Sequence, residues 1–171
     1  MVLVIGAATV AVAALAIGLL TGADDPVEPA SRRLAPSFSL PDLRDPSAPQ
    51  VSLPSGRPVV VYFFASWCIP CREELPVVQE VSSARDDVAF VGVDHLDQRD
   101  DGRDFLARFD ATFAAGHDPG GDVALRYRVR GLPATVFVDA DGRIASMFHG
   151  KLDRETLVAR IDELTLHEGE G

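Results

Sequence analysis

A strand-like run leads directly into a helix-like run, and the two cysteines of the chain lie at the junction. Residues 59–64, Val-Val-Val-Tyr-Phe-Phe, are apolar, β-branched or aromatic, which is typical of a buried strand. From Cys71 onward, apolar residues recur at positions 75, 77, 78 and 81, the spacing of one face of a helix. The sequence therefore predicts a buried strand, a tight connection that carries Cys68, and a helix over residues 71–84.

The predicted position of Cys68, in the first turn of this helix, favours a thiolate. Unpaired backbone N–H groups and the helix dipole stabilise negative charge there, which lowers the pKa of a thiol. Cys71 lies one turn later, close enough to close a disulfide with Cys68. Because so short a loop removes little entropy from the unfolded chain, a purely structural bridge contributes little here. The pair is therefore interpreted as a reversible dithiol, with no cofactor beyond its redox-active disulfide.

A metal site is the alternative interpretation of a Cys-x-x-Cys pair. Zinc normally takes four protein ligands in a structural site, and the sequence has no second cysteine pair. We therefore predict no metal at Cys68 and Cys71.

The N-terminal segment predicts export from the cytoplasm. Residues 2–20 carry no charged side chain, and about 19 residues at ~1.5 Å each just cross a bilayer core. No Lys or Arg precedes this run, which favours a retained membrane anchor over residues 1–21; the alternative is a cleaved signal peptide and a secreted protein. Both alternatives place the dithiol outside the cytoplasm, where most cysteine pairs are oxidised.

Composition divides the rest of the chain and excludes some partners. Residues 22–36 are rich in proline and charge and are interpreted as a tether, residues 37–166 as one domain, and residues 167–171 as a disordered tail. The net charge of −10 argues against nucleic acid and against anionic membrane surfaces as partners, because both favour a basic face. We expect membrane contact through the N-terminal segment and a monomeric protein.

The remaining periodicities predict an α/β domain. Residues 38–40 and 51–53 alternate apolar and polar side chains beside prolines, which indicates a small N-terminal β-hairpin. The elements predicted after the dithiol helix are a strand at 88–93, a helix at 99–109, a loop around 116–121, a short helix at 123–127, strands at 135–138 and 144–148, and a helix at 153–166. This order predicts a central mixed sheet flanked by helices.

These motifs together resemble a known family. Residues 63–76, which contain Trp-Cys-Ile-Pro-Cys, are similar to the active-site segment of thioredoxin-like proteins. They are most similar to the membrane-tethered extracytoplasmic thiol–disulfide oxidoreductases of the cytochrome c maturation (TlpA/ResA-like) branch. Residues 130–135 resemble the cis-proline loop of that family, and residues 136–144 its last hairpin. The resemblance covers roughly residues 36–166 and implies a thioredoxin-like fold.

The resemblance also implies roles around the dithiol. Cys68 is the attacking thiolate, and Cys71 is the resolving thiol that releases the partner. Glu74 lies on the same helical face as Cys71, and it is expected to accept the Cys71 proton if burial raises its pKa. The alternative for Glu74 is a solvated surface acid. Cytoplasmic thioredoxins carry an aspartate where this chain has Tyr62, and this departure favours the extracytoplasmic branch.

Three further residues are candidates for substrate binding. Pro133 is the candidate cis proline, whose turn would hold the Leu132 backbone against Cys68, where it can pair with an extended substrate strand; the alternative is an ordinary trans proline. Trp67 is expected to offer an apolar platform to the partner or, alternatively, to serve packing alone.

The expected function is thiol–disulfide exchange with exported proteins. We expect a reductase of substrates such as the haem-attachment cysteines of apocytochrome c, supplied by an electron-transfer partner in the membrane. A disulfide-forming oxidase is the direct alternative, because Ile69 and Pro70 do not decide the direction. A thioredoxin-like copper chaperone or a non-catalytic binding module is the alternative from another class.

Overall fold

The structure is a computed structural model that describes residues 33–166. The predicted anchor or signal segment at 1–21, most of the predicted tether, and the predicted tail at 167–171 lie outside the described residues. Among residues 33–166, every helix is too short or too polar to cross a bilayer.

The helices and strands follow one another in a mixed α/β order. They are β1 (Ser39–Leu40), β2 (Val51–Ser52), β3 (Val59–Phe64), α1 (Ile69–Ala84), β4 (Ala89–His95), α2 (Arg99–Arg108), β5 (Ala114–Asp118), α3 (Asp122–Tyr127), β6 (Ala134–Val138), β7 (Ile144–His149) and α4 (Arg154–Leu166). The short pair β1–β2 is antiparallel and forms the predicted N-terminal hairpin.

The central sheet has five strands in the order β5-β4-β3-β6-β7. β3, β4 and β5 run parallel, whereas β6 is antiparallel to β3, and β7 is antiparallel to β6. The predicted fold class, a thioredoxin-like α/β domain with a mixed sheet flanked by helices, is confirmed.

β3 is the middle strand, and all of its side chains are buried. Alternate side chains of a strand point to opposite faces, so the two faces of the sheet have separate cores. Tyr62 and its alternate neighbours pack with apolar residues of α1, α2 and α4. Phe63 and its alternate neighbours pack with α3 and the β1–β2 hairpin. Burial on both faces explains why β3 is continuously apolar.

Two predicted elements differ from the structure. The predicted loop around residues 116–121 was wrong over its first part, because residues 114–118 form the edge strand β5. The dithiol helix begins at Ile69 rather than Cys71. Proline is favoured in a first helical turn, where its missing N–H has no helical partner to lose, so Pro70 belongs to the helix.

The chain enters the domain beside the turn that joins β6 to β7. Ala35 donates its backbone N–H to the carbonyl of Gly142 at 2.8 Å, and Ile144 donates to the carbonyl of Arg33 at 2.9 Å. Residues 33–36, the end of the predicted tether, therefore include contacts with the folded domain.

Candidate active site

Three loops meet at one end of the central sheet. Phe63 in β3 pairs with Ala134 in β6, so the segment just before β6 lies beside the connection that leaves β3. Phe64 pairs with Asp94 in the parallel strand β4, so the loop after β4 lies at the same end. The topology thus brings together the dithiol connection, the 130–133 segment and residues 96–98.

Cys68 is the N-cap residue of α1 and forms a disulfide with Cys71. The two sulfurs are 1.96 Å apart and the two Cα atoms 5.3 Å apart. The backbone N–H of Cys71 donates to the Cys68 Sγ at 3.2 Å, and the first turn of α1 contains no acidic residue. A thiolate at Cys68 therefore faces unopposed positive charge at the helix N-terminus.

The two cysteines differ in exposure. Cys71 is completely buried, whereas Cys68 keeps 4% of its surface exposed. A partner sulfur therefore approaches the pair from the side of Cys68.

Glu74 lies in α1 and is buried, with 1% of its surface exposed. Its Oε1 accepts a hydrogen bond from the backbone N–H of Leu152 at 2.7 Å, and its Oε2 has no hydrogen-bond partner among the described residues. Burial raises the pKa of Glu74 to about 7, against the opposing effects of the Leu152 N–H, the Tyr62 hydroxyl and the Lys151 charge. Burial excludes the alternative that Glu74 is a solvated acid.

Tyr62 supplies a second buried polar group near Glu74. Its hydroxyl lies close enough to affect the carboxyl electrostatically but outside hydrogen-bonding geometry. Burial, and then the charge of Glu74, raise the pKa of Tyr62 well above its ordinary value. The phenol therefore stays protonated and leaves Glu74 as the group here that titrates near neutral pH.

The peptide bond between Leu132 and Pro133 is cis, as the resemblance implies. Pro133 is buried, and its carbonyl accepts the N–H of Gly150 at 2.8 Å. Leu132 is half-buried and packs against both cores. Within residues 33–166, neither the backbone N–H nor the C=O of Leu132 forms a hydrogen bond with another backbone group. Both groups can therefore pair with an added strand.

Trp67 is 55% exposed beside the dithiol. Its indole Nε1–H donates to the carbonyl of Leu96 at 3.1 Å, which ties the ring to the loop after β4. Ile69 and Leu96 are also exposed apolar side chains. The surface around Cys68 is therefore apolar, although the protein is strongly acidic overall.

Sequence reasoning missed the buried polar residues of the neighbouring strands. Asp97 lies in the loop after β4, and its carboxylate accepts hydrogen bonds from Ser66 of the dithiol connection. Asp94 is fully buried, and its Oδ2 lies 2.9 Å from the Nδ1 of His117. Asp94, Asp97 and His117 lie at or just after the carboxyl ends of parallel strands. This position was the signal in the sequence that could have indicated a place in the site. In the described part of the chain, no three His, Cys, Asp or Glu side chains are arranged to hold a metal ion.

Comparison with known proteins defines the class of protein. The crystal structure of a thiol:disulfide interchange protein DsbE from Chlorobium tepidum matches with a TM-score of 0.71 and 28% identity, over 78% of this chain and 96% of its own. With this fold and a Cys-x-x-Cys disulfide at a helix N-terminus, the chain has the architecture and the dithiol site of the thioredoxin-like thiol–disulfide oxidoreductases. It belongs to the AhpC/TSA family, whose sequence model matches residues 32–147.

Curated relatives agree with this class. HelX of Rhodobacter capsulatus is 34% identical over 128 residues, which cover 74% of this chain and 66% of HelX. CycY of Rhizobium leguminosarum bv. viciae is 38% identical over 125 residues, which cover 72% of this chain and 60% of CycY. Both are named thiol:disulfide interchange proteins, and this chain spans less than two thirds of the length of each. The family predicted from the motifs is confirmed.

Proposed function

We propose that this protein exchanges disulfides with exported proteins and acts as a reductase, for example of the haem-attachment cysteines of apocytochrome c. The observation that carries the proposal is the asymmetry of the pair. Cys68 is the N-cap residue and keeps 4% of its surface exposed, whereas Cys71 is fully buried in the same helix that carries the buried Glu74. A structural disulfide needs no buried acid, whereas a resolving thiol needs a group that takes its proton.

In the first step, the Cys68 thiolate of the reduced protein attacks one sulfur of a substrate disulfide. A bond forms between Cys68 and that sulfur, the substrate S–S bond breaks, and the second substrate sulfur leaves as a thiolate. The N-terminus of α1 favours this step because it stabilises the attacking thiolate.

In the second step, the Cys71 thiol gives its proton to the Glu74 carboxylate and attacks the Sγ of Cys68. The Cys68–Cys71 bond forms, and the first substrate sulfur leaves as a thiolate. The substrate has gained two electrons and the dithiol has lost two. With a pKa of about 7, Glu74 can accept and release this proton near neutral pH.

Substrate binding is assigned to the surface around Cys68. The free N–H and C=O of Leu132, held beside the dithiol by the turn at Pro133, pair with an extended substrate segment. The exposed ring of Trp67 provides apolar contact for side chains of that segment. Each turnover leaves the Cys68–Cys71 pair oxidised, and a dithiol partner in the membrane reduces it again. The protein acts as a monomer that its N-terminal segment holds at the membrane.

The reduction potential of the purified domain tests the direction. A value near −270 mV or lower supports the reductase, whereas a value near −120 mV would replace it with the oxidase. Reduction of insulin disulfides by the dithiol form is expected alongside.

Trapping tests the roles of the two cysteines. Cys71→Ser is expected to accumulate a mixed disulfide between Cys68 and a substrate peptide, because the resolving step is lost. Cys68→Ser, the matched control, is expected to form none. A trapped complex on Cys71 in the control would reverse the assignment.

A further inference from the structure

The loop after β4 binds the two residues that precede Cys68. The Asp97 Oδ2 accepts the backbone N–H of Ser66 at 2.5 Å, and the Asp97 Oδ1 accepts the Ser66 hydroxyl at 2.9 Å. The Leu96 carbonyl accepts the Trp67 indole N–H at 3.1 Å. Three hydrogen bonds thus connect this loop to the dithiol connection, across 29 to 31 residues of sequence.

Ser66 is also held from the opposite side. The Arg72 guanidinium, on the first turns of α1, donates to the Ser66 carbonyl from Nη2 at 3.0 Å and from Nε at 3.3 Å. The backbone N–H, the hydroxyl and the carbonyl of Ser66 are therefore all bonded to charged side chains from two separate elements. An ordinary turn residue does not need this many hydrogen bonds.

Asp97 itself is fixed in place. It is only 7% exposed, and its Oδ1 also accepts the N–H of Gln98 at 2.8 Å. Leu96, just before it, has a φ of 50°, a left-handed conformation that a leucine rarely adopts. The Leu96 N–H donates to the Asp118 carbonyl at 3.1 Å. Such a conformation persists only where its surroundings hold it, and it is common at functional sites.

A second buried carboxyl, that of Asp94, lies close to Asp97. Asp94 is fully buried behind it, contacts the Nδ1 of His117, and has one oxygen without a hydrogen bond among the described residues. Burial, and then the charge of Asp97, raise the pKa of Asp94 to about 8. Asp94 is therefore protonated near neutral pH, and the hydrogen bonds of Ser66 go to Asp97.

We propose that Asp97 is a positioning residue for the dithiol: through Ser66 it fixes the backbone just before Cys68 and so keeps the Cys68 sulfur at the N-terminus of α1. There the Cys71 N–H donates to that sulfur at 3.2 Å. The inference rests on the proposed role of Cys68 as the attacking thiolate. Asp97 acts through Ser66 and does not contact the reacting sulfur itself.

The pH dependence of Cys68 alkylation in the reduced protein tests this role. In Asp97→Ala we expect the pKa of Cys68 to rise toward its ordinary value, because the sulfur is no longer held at the helix end. We expect the rate of reaction with a disulfide substrate to fall about ten- to a hundred-fold. Asp97→Asn is expected to restore part of both. Its amide oxygen can still accept the Ser66 N–H and its NH2 group can donate to the Ser66 hydroxyl, while the hydrogen bond from the Gln98 N–H is lost.

The direction of the pKa change separates positioning from simple charge. If Asp97 acted only as a nearby negative charge, both Asp97→Ala and Asp97→Asn would lower the pKa of Cys68, and the proposal would be overturned. Asp100→Ala is the matched control, because Asp100 is an exposed acid of α2 with its side chain 78% exposed. It is expected to leave the alkylation profile unchanged.

Ser66→Ala provides a second variant at the other end of the same contact. It is expected to reduce the rate less than Asp97→Ala does, since the backbone N–H of residue 66 still bonds the carboxylate. Combining the two changes should cost no more than Asp97→Ala alone, because both act on one interaction. A fully additive loss would contradict the proposal, and Ser66→Ala tests it even if Asp97→Ala does not fold.

The same samples separate this inference from the proposed function. A wild-type protein that alkylates normally but reduces no protein disulfide would refute the reductase and leave the positioning result in place. A wild-type protein that reduces insulin, with an Asp97→Ala variant equal to it in rate and alkylation profile, would refute the positioning role alone.

Discussion

Glu73 and Glu74 are neighbours in the sequence with opposite environments. Glu73 is exposed and forms an ion pair with Lys151 at 2.7 Å. Glu74 is buried and accepts the N–H of Leu152, which belongs to the core that contains Cys71. One step along a helix rotates the side chain by about 100°, which is enough to move it from solvent into the interior. The proton acceptor proposed for Cys71 thus has a natural control beside it.

Glu74→Gln is expected to slow turnover about ten- to a hundred-fold near neutral pH, because the amide cannot accept the Cys71 proton. The limb of the pH–rate profile with a pKa of about 7 should disappear. Gln can still accept the Leu152 N–H, so the fold should be retained. Stopped-flow measurement of mixed-disulfide resolution across pH 5–9 checks this, with Glu73→Gln as the control. An unchanged profile for Glu74→Gln would remove Glu74 from the mechanism.

The placement of the site residues was predictable from the sequence where it depends on local spacing. Cys68, Cys71 and Glu74 lie within two turns of one helix, so a fixed periodicity places them together. The contact between Asp97 and Ser66 spans 31 residues and exists only because β3 and β4 pair in parallel with a particular register. Local patterns do not determine that register, so this part of the site required the structure.

At the scale of elements, β5 shows how pairing can override composition. Its residues, Ala-Ala-Gly-His-Asp, include no β-branched side chain, so the sequence predicted a loop over most of the segment. Hydrogen bonding to β4 makes it a strand. Its small residues also leave room for the β1–β2 hairpin that covers it, because a Cβ at Gly116 would lie 2.7 Å from the Cβ of Leu40. By contrast, β3 was predictable because burial on both faces gives it a continuous apolar sequence.

Gly116→Ala is expected to destabilise the domain by about 1–3 kcal/mol, because the added methyl group overpacks the contact between β5 and β1. The midpoint of urea unfolding should fall while the slope stays constant. Gly120→Ala is the matched control, since its added Cβ would meet only Asp122 at an ordinary 3.5 Å. Equal midpoints for the two variants would show that the hairpin moves to accept the methyl group.

At the scale of the whole molecule, burial of Glu74 links folding to pH. Its pKa rises from 4.5 to about 7 in the folded protein, so the folded state binds this proton more tightly than the unfolded state. The resulting stabilisation is complete below pH 4.5 and is lost as the pH rises through 7. The dithiol helix therefore carries a carboxyl that weakens the fold when it ionises.

Between pH 5 and pH 8, the unfolding free energy of the oxidised wild-type protein should fall relative to that of Glu74→Gln, by on the order of 2–3 kcal/mol. Urea unfolding at several pH values measures the difference directly. Glu73→Gln should follow the wild-type curve across the range. Parallel curves for wild type and Glu74→Gln would show that the carboxyl titrates alike in the folded and unfolded states.

The point at which the chain enters the domain lies far from the dithiol. Residues 33–35 bond to the β6–β7 turn, and β6 runs from the dithiol end of the sheet to that turn. The N-terminal entry and the dithiol therefore lie at opposite ends of the central sheet. Under the proposed function, a substrate or an electron-transfer partner has to reach the end of the domain opposite to its N-terminal attachment.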